Sequence, residues 1–126
     1  MSLSSKITQI EEKLKQLERS IPGIEASALV SIDGLMLASA LPPGVSEDKI
    51  AAMSAALLSI SERINEELDR GNFEMGLVIG EKGFVCVMGV TPEALLVTLT
   101  SKDVRLGLLL YEMRRIASTI KELLTK

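Results

Sequence analysis

Residues 24–40 read IEASALVSIDGLMLASA, and this stretch changes the periodicity of the chain. From Ile24 to Ile32 an apolar residue stands at every second position, a pattern typical of a half-buried β-strand. Asp33 and Gly34 then separate this run from a second apolar run, residues 35–40. An Asp-Gly pair between two strands favours a two-residue loop in which both central positions have positive φ. We therefore predict an antiparallel hairpin here.

An amphipathic helix is predicted before the hairpin, over residues 4–21. Its apolar positions follow alternating spacings of three and four and are Ile7, Ile10, Leu14, Leu17 and Ile21. Pro22 and Gly23 end the helix, because proline clashes with the preceding turn and glycine allows a sharp exit. The apolar stripe is too short for a stable coiled coil. We expect the helix to dock either on this domain or on a second copy.

A long central helix is predicted after the hairpin, from the N-cap Ser46 to about Asp69. Glu47 and Asp48 place negative charge in its first turn, where the helix dipole favours it. We expect its main stripe to face the core, and this stripe comprises Ile50, Met53, Leu57, Ile60, Ile64 and Leu68.

The first half of this central helix carries no charge on any side. Residues 50–61 read IAAMSAALLSIS, and a polar face returns only from Glu62 onward. A helix without a solvated face is buried on more than one side. Its small residues allow another backbone to come close, so a second helix is the expected partner of the free side.

Three further strands and a last helix are predicted after the central helix. The strands are residues 73–80, 84–90 and 95–100, and the second is apolar on both faces, which is typical of an inner strand. The last helix is predicted to begin near residues 101–103. The element order is therefore α-β-β-α-β-β-β-α, an α/β (α+β) fold in a single domain over residues 1–126.

Composition excludes several classes of function. The 126 residues are 47% hydrophobic but only 2% aromatic, so the core is aliphatic and base stacking is disfavoured. The net charge is -3, which argues against nucleic-acid binding. No run approaches the ~20 apolar residues of a membrane span, and no secretory signal begins the sequence. We therefore expect a cytoplasmic protein that does not insert into a membrane.

Candidate catalytic groups are scarce. Histidine is absent, which removes serine triads and histidine-based zinc sites, and the one cysteine, Cys86, lies in an apolar strand where core packing is expected. The carboxylates after residue 61 alternate with arginines and are expected to form a solvated face. Arg114 and Arg115 are expected to pair with Glu112. We predict no catalytic, cofactor-binding or metal-binding residue, and the residues alone indicate a dimerising interaction module.

Three segments resemble one known family. Residues 24–31 (IEASALVS) and 33–39 (DGLMLAS) resemble the first hairpin of the roadblock/dynein-light-chain family. Residues 48–58 (DKIAAMSAALL) are similar to its central helix, and residues 106–117 (LGLLLYEMRRIA) are similar to its C-terminal helix. The resemblance covers residues 22–124 in the same element order.

This resemblance implies a five-stranded antiparallel sheet in the order 2-1-5-4-3, with the central helix on one face and the terminal helices on the other. It also implies a homodimer in which central helices pair and third strands meet edge to edge. In this sequence the corresponding positions are Ala51, Ala52, Ala55, Ala56, Ser59, Phe73, Met75, Leu77 and Ile79.

The same resemblance implies a function by contact. Prokaryotic members of the family are commonly regulators of Ras-like small GTPases, including GTPase-activating proteins that supply no arginine finger. We expect such a GTPase as partner of the homodimer, contacted at Lys49, Met53 and Arg63. A passive scaffold of the dynein-light-chain type is one alternative. A small-molecule sensor is another, and it would need a sizeable internal pocket.

Overall fold

The computed structural model describes residues 2–126, in which five strands form one antiparallel sheet with helices on both faces. The strand order β2-β1-β5-β4-β3 and the element order are those predicted. The elements are α1 (Leu3–Ser20), β1 (Ile24–Ser31), β2 (Met36–Ala40), α2 (Glu47–Glu67), β3 (Met75–Gly80), β4 (Gly83–Thr91), β5 (Ala94–Ser101) and α3 (Leu106–Thr125).

Helices α1 and α3 lie on one face of the sheet, and α2 lies on the other. The predicted stripe of α1 is buried against the sheet and α3 of the same chain, with Leu14 and Leu17 fully enclosed. The α1 helix therefore docks on its own domain, one of the two possibilities that its short stripe left open. On α3 the apolar positions Leu109, Met113 and Ile120 fill the same core.

Strand β1 is buried on both faces, so the half-buried strand predicted from its alternation is wrong. Ala28 and Val30 pack under α2, whereas Leu29 packs under α1 and α3. Ser27 lies on the α1 side as a fully buried polar residue, and its hydroxyl donates a hydrogen bond to Glu18 of α1 at 2.5 Å. The residues of β1 on the α1 side include the small Ser27, and this allows α1 to cover that face of the strand.

The first hairpin has a three-residue loop instead of the predicted two-residue loop. Ser31 N donates to Leu35 O at 2.8 Å, and Gly34 N donates to Ser31 O at 3.0 Å. Gly34 alone in this loop has positive φ, at 86°. This is the arrangement in which a turn is followed by one left-handed residue. The loop rests on α2, since a Cβ on Gly34 would lie 3.7 Å from Ala55 Cβ.

Most predicted boundaries move by one or two residues, and the starts of β3 and α3 show why. Strand β3 begins at Met75, two residues after the predicted start at Phe73. Helix α3 begins at Leu106, because β5 continues to Ser101 and a turn follows, in which Val104 N donates to Ser101 O at 3.4 Å. Val104 is buried by this turn.

The face that α2 turns toward the sheet differs from the predicted stripe. Its buried residues are Ile50, Ala51, Ser54 and Leu58. Ala51 and Ser54 are small and let the helix approach the sheet closely. The larger members of the predicted stripe therefore lie beside or outside this contact, and Met53 and Ile60 are both 62% exposed.

Candidate functional site: the exposed face of α2 and the free edge of β3

An apolar stripe runs along the accessible side of α2. We call it the α2 stripe, and it comprises Met53, Leu57, Ile60, Ile64 and Leu68. Four of these side chains are between 49% and 64% exposed, and Leu57 is half-buried beside Gly76 of β3. Successive members are three or four residues apart, the spacing of a seam between packed helices. The stripe was predicted to face the core, and the helix partner was predicted from the absence of charge and the small residues over residues 50–61.

Small residues lie next to the α2 stripe. Ala52, Ala56 and Ser59 are exposed, and Ala55 is half-buried beside the hairpin loop. Ala51 is only 1% exposed because it packs against the sheet of its own chain. The structure therefore brings four of the five predicted small residues to the accessible side of the helix and leaves Ala51 inside.

Two cations flank the small residues. Lys49, Ala56 and Arg63 follow one another at seven-residue intervals, so they lie nearly in line along α2. Both cations are exposed, and neither forms an ion pair within residues 2–126. With the exposed Met53, all three positions predicted for partner contact are accessible on this helix.

Strand β3 is an edge strand that pairs with β4 alone in the described sheet. Its sequence, MGLVIG, contains no charged residue and no proline. Charged residues and proline commonly protect an edge strand from pairing with another chain, and β3 has neither. Val78 and Ile79 are exposed on this strand. The outer backbone groups of β3 are thus open to pairing with an added strand.

The side chains of β3 point to two different faces. Met75 and Leu77 pack with the α3-side core, and Ile79 follows them on that face opposite Phe84. Gly76 and Val78 face α2, and Phe73, just before the strand, packs on the α2 side. The structure therefore does not bring the side chains of Met75, Leu77 and Ile79 to the α2 stripe. Val78 is the residue that sequence reasoning missed.

The cysteine and the arginines considered in the sequence lie on the α3 side of the sheet. Burial raises the pKa of the Cys86 thiol to about 11, against a smaller opposing effect of Arg114. The thiol is enclosed in the α3-side core, so the predicted packing role is confirmed. Arg115 pairs with Glu112 at 3.2 Å, whereas Arg114 does not join that pair.

Two further properties of the described chain concern metal binding and membranes. Within residues 2–126, no group of three or more histidine, cysteine, aspartate or glutamate residues is placed to hold a metal ion. None of the helices there combines the length and apolar character needed to cross a membrane. The α2 stripe is exposed apolar surface, and the β3 edge has no neighbouring strand in the described sheet.

Comparison of sequences finds relatives over most of the chain. The family model described as Roadblock/LC7 domain matches residues 10–100. An uncharacterized protein of Methanocaldococcus jannaschii is 36% identical over 112 residues, covering 89% of this chain and 96% of the relative. Another from the same organism is 34% identical over 114 residues, covering 90% of this chain and 95% of the relative.

Solved structures share the fold at lower identity. A Roadblock/LC7 domain from Streptomyces avermitilis has a TM-score of 0.87 at 20% identity, covering 92% of this chain and 98% of that one. MglB from Myxococcus xanthus has a TM-score of 0.87 at 16% identity, covering 94% and 90%. The gliding protein MglB from Thermus thermophilus has a TM-score of 0.84 at 18% identity, covering 94% and 90%. Since the family model spans most of the chain and the archaeal relatives exceed 30% identity, the chain belongs to the Roadblock/LC7 domain family.

Proposed function

We propose that this chain forms a homodimer through α2 and β3, and that the dimer regulates a Ras-like small GTPase by contact. The observation that carries the proposal is the α2 stripe, whose large apolar side chains lie in solvent in the single chain. Fully burying a side chain of this kind contributes about 1.5–3 kcal/mol, and the part still exposed here would contribute its share of that to association. A surface of this kind on a small domain is best accounted for by a partner that covers it.

A second copy suits the α2 face because the face is self-complementary. The small side chains of Ala52, Ala56 and Ser59 allow two α2 helices to cross closely, and the α2 stripe then packs beside the crossing. A two-fold interface uses the same patch on both copies. Lys49 and Arg63 lie about 10 Å on either side of Ala56 along the helix, so the like charges stay apart from the centre.

The β3 edge supports the same arrangement. Leu57 of α2 lies beside Gly76, so the helix and the edge strand form one continuous surface. Two β3 strands meeting edge to edge would extend the sheet across both copies and satisfy their outer backbone groups. Val78, which faces α2, would be covered in the same step.

The GTPase part of the proposal rests on the family resemblance and on the exposed cations. In this proposal Lys49 and Arg63 stay accessible when α2 pairs around Ala56, and Met53, which belongs to the α2 stripe, lies where the contact with the second copy meets the contact with the GTPase. The dimer supplies no catalytic group in this proposal. It acts by binding one nucleotide state of the GTPase more tightly than the other, since only a difference in affinity shifts the population of states.

The test uses purified Ras-like GTPases from the genome that encodes this chain, each loaded with GDP or with a non-hydrolysable GTP analogue. Binding is measured by biolayer interferometry, and GTP hydrolysis and nucleotide exchange are measured with and without this protein. We expect one GTPase to bind with a clear preference for one nucleotide. The matched variants Lys49→Glu and Arg63→Glu should weaken this binding, whereas Lys102→Glu, in the turn before α3, should not.

Two results would decide against this function. Absence of binding in either nucleotide state removes the GTPase as partner. Equal binding in both states, with unchanged hydrolysis and exchange, supports a passive scaffold that uses the same surface.

A further inference from the structure

A groove opens at the end of the sheet farthest from the β3–β4 turn. It forms because β3 begins only at Met75, opposite Met88, while β4 continues to Thr91. The volume of the groove is about 850 Å³. We call the part beside α3 the α3 groove, with its floor at Met88, Val90 and Ala117 and its α3 wall at Arg114, Ser118 and Lys121.

The α3 groove continues beyond this opening. A second depression of about 330 Å³ shares Thr91, Pro92 and Lys121 with it and ends at Leu37 and Leu124. The combined trough follows α3 from Arg114 to Thr125, a length of about 16 Å at 1.5 Å per residue. An extended polypeptide rises about 3.3 Å per residue, so the trough matches roughly five residues of extended chain.

Positive charges line the α3 side of the groove, and negative charges line its other sides. Arg114 and Lys121 are exposed on the α3 wall, and neither forms an ion pair or a side-chain hydrogen bond within residues 2–126. Three carboxylates also line the trough and belong to other elements: Glu62 is on α2, Glu74 comes just before β3, and Glu93 lies in the β4–β5 turn. An acidic group entering the groove is therefore attracted to α3 and repelled from the opposite side.

The floor is apolar and closed. Met88, Val90 and Ala117 are each less than 10% exposed. Leu37 and Leu124 add apolar surface at the far end. A ligand that fits this lining combines acidic side chains, placed toward α3, with apolar side chains placed on the floor.

We propose that the α3 groove binds a short extended segment of a partner protein, in which acidic and apolar residues alternate. Alternation is required because successive side chains of an extended chain point to opposite sides. The bound segment lies between α3 and the β4–β5 turn. The α3 wall of this site is separate from the α2 stripe, whereas the opposite end of the groove reaches Phe73 and Met75 at the start of β3.

The test is a fluorescence anisotropy titration with the full chain. The probe is a fluorescein-labelled hexapeptide of alternating leucine and glutamate, and the matched control is a hexapeptide of alternating leucine and lysine. We expect saturable binding of the acidic peptide only. The double variant Arg114→Glu, Lys121→Glu should weaken it by about tenfold or more, because it places like charges face to face. Lys102→Glu, outside the groove, should leave the affinity within about twofold of the original.

Three results overturn the proposal: no saturable binding of the acidic peptide, equal binding of the basic peptide, or unchanged affinity in the double variant. Single variants Arg114→Gln and Lys121→Gln keep the test decisive if the double variant does not fold, since each should weaken binding. Ile60→Glu, altered on the other face of the sheet, should retain the peptide. Its result separates this site from the dimer.

Discussion

Gly83 begins β4 at a point where β5 leaves no room for a side chain. A Cβ at this position would lie 1.9 Å from Thr100 O, a backbone atom that cannot move aside alone. We predict that Gly83→Ala lowers the free energy of unfolding by about 2 kcal/mol or more, as overpacking does in a close-packed interior. Urea denaturation followed by circular dichroism measures this loss.

Gly107→Ala is the matched control for that substitution. No atom lies within 4 Å of a Cβ built at Gly107, in the first turn of α3. Alanine favours helix over glycine by up to about 1 kcal/mol, so this variant should be as stable as the original chain or slightly more stable. Equal effects of the two substitutions would show that the close contact at Thr100 is not what requires glycine at residue 83.

Glu18 gives the α1 contact a dependence on pH. Burial raises the pKa of this carboxyl, and its hydrogen bonds with Ser27 oppose the rise without cancelling it. A carboxyl whose pKa is higher in the folded chain than in the unfolded chain favours folding when protonated. Its stabilising effect is therefore complete below the ordinary pKa of 4.5 and is lost as the pH rises through the raised value.

Glu18→Gln tests this effect because it keeps the side-chain shape and removes the charge. We predict that its stability relative to the original chain increases between pH 4 and pH 7, as measured by urea denaturation at several pH values. Gln16→Glu, on the exposed side of the same helix, is a control that adds a charge outside the contact. A stability difference for Glu18→Gln that does not change with pH would contradict the assignment.

Helix α3 lacks the N-cap that α2 has. Ser46 accepts a hydrogen bond from Lys49 N at 3.2 Å, with φ -81° and ψ 116°. Arg105 has a similar backbone conformation, with φ -79° and ψ 99°, but makes no side-chain cap. We predict that Arg105→Asp stabilises the chain by about 1 kcal/mol, because aspartate caps the helix and suits its dipole.

Thermal denaturation checks this prediction, and Ser46→Ala is its counterpart. Removal of the existing cap should cost about 1 kcal/mol. If Arg105→Asp lowers the melting temperature instead, the missing N-cap of α3 does not limit the stability of the chain.

The elements differ in how far the sequence alone could predict them. The apolar pattern of β4 predicted an inner strand, and that of α1 predicted which side of the helix is buried but not whether this chain or a second copy covers it. The orientation of α2 was not predictable, because two sides of this helix are apolar. The side with Ala51 and Ser54 faces the sheet because these small residues let the helix pack closely on it. The loop at Gly34 could not be predicted either, since its contact with Ala55 joins residues that are distant in the sequence.

The candidate site was predictable on α2 but not on β3. Absence of charge over residues 50–61 indicated a helix with two contacts, and this helix does carry an exposed apolar stripe. The faces of β3 were not predictable, because strand alternation does not say which side α2 covers. Val78 was missed in this way, while Met75 and Leu77 belong to the α3-side core.

In the whole molecule, the helices on the two faces of the sheet differ in how far the chain itself buries their apolar side chains. On the α1 and α3 face, one chain encloses the core of Leu14, Leu109 and Met113. On the α2 face, the helix covers the sheet but is not itself covered. We predict that Ile60→Glu leaves the fold of the single chain intact, since Ile60 is 62% exposed, and abolishes self-association.

Circular dichroism verifies the fold of that variant, and Glu66→Lys provides a control. Glu66 is exposed on α2 away from the stripe, so its charge reversal should leave self-association unchanged. Equal loss of association in both variants would indicate a general effect of charge instead of a contact at Ile60.

The most direct test of the α2 face as a contact surface is the molar mass of the unaltered chain by size-exclusion chromatography with multi-angle light scattering. The chain has a mass of 13.6 kDa. We predict twice this mass, falling to the single-chain value for Ile60→Glu at the same concentration. A mass of one chain at every concentration tested, or a dimer that persists in Ile60→Glu, would contradict the account.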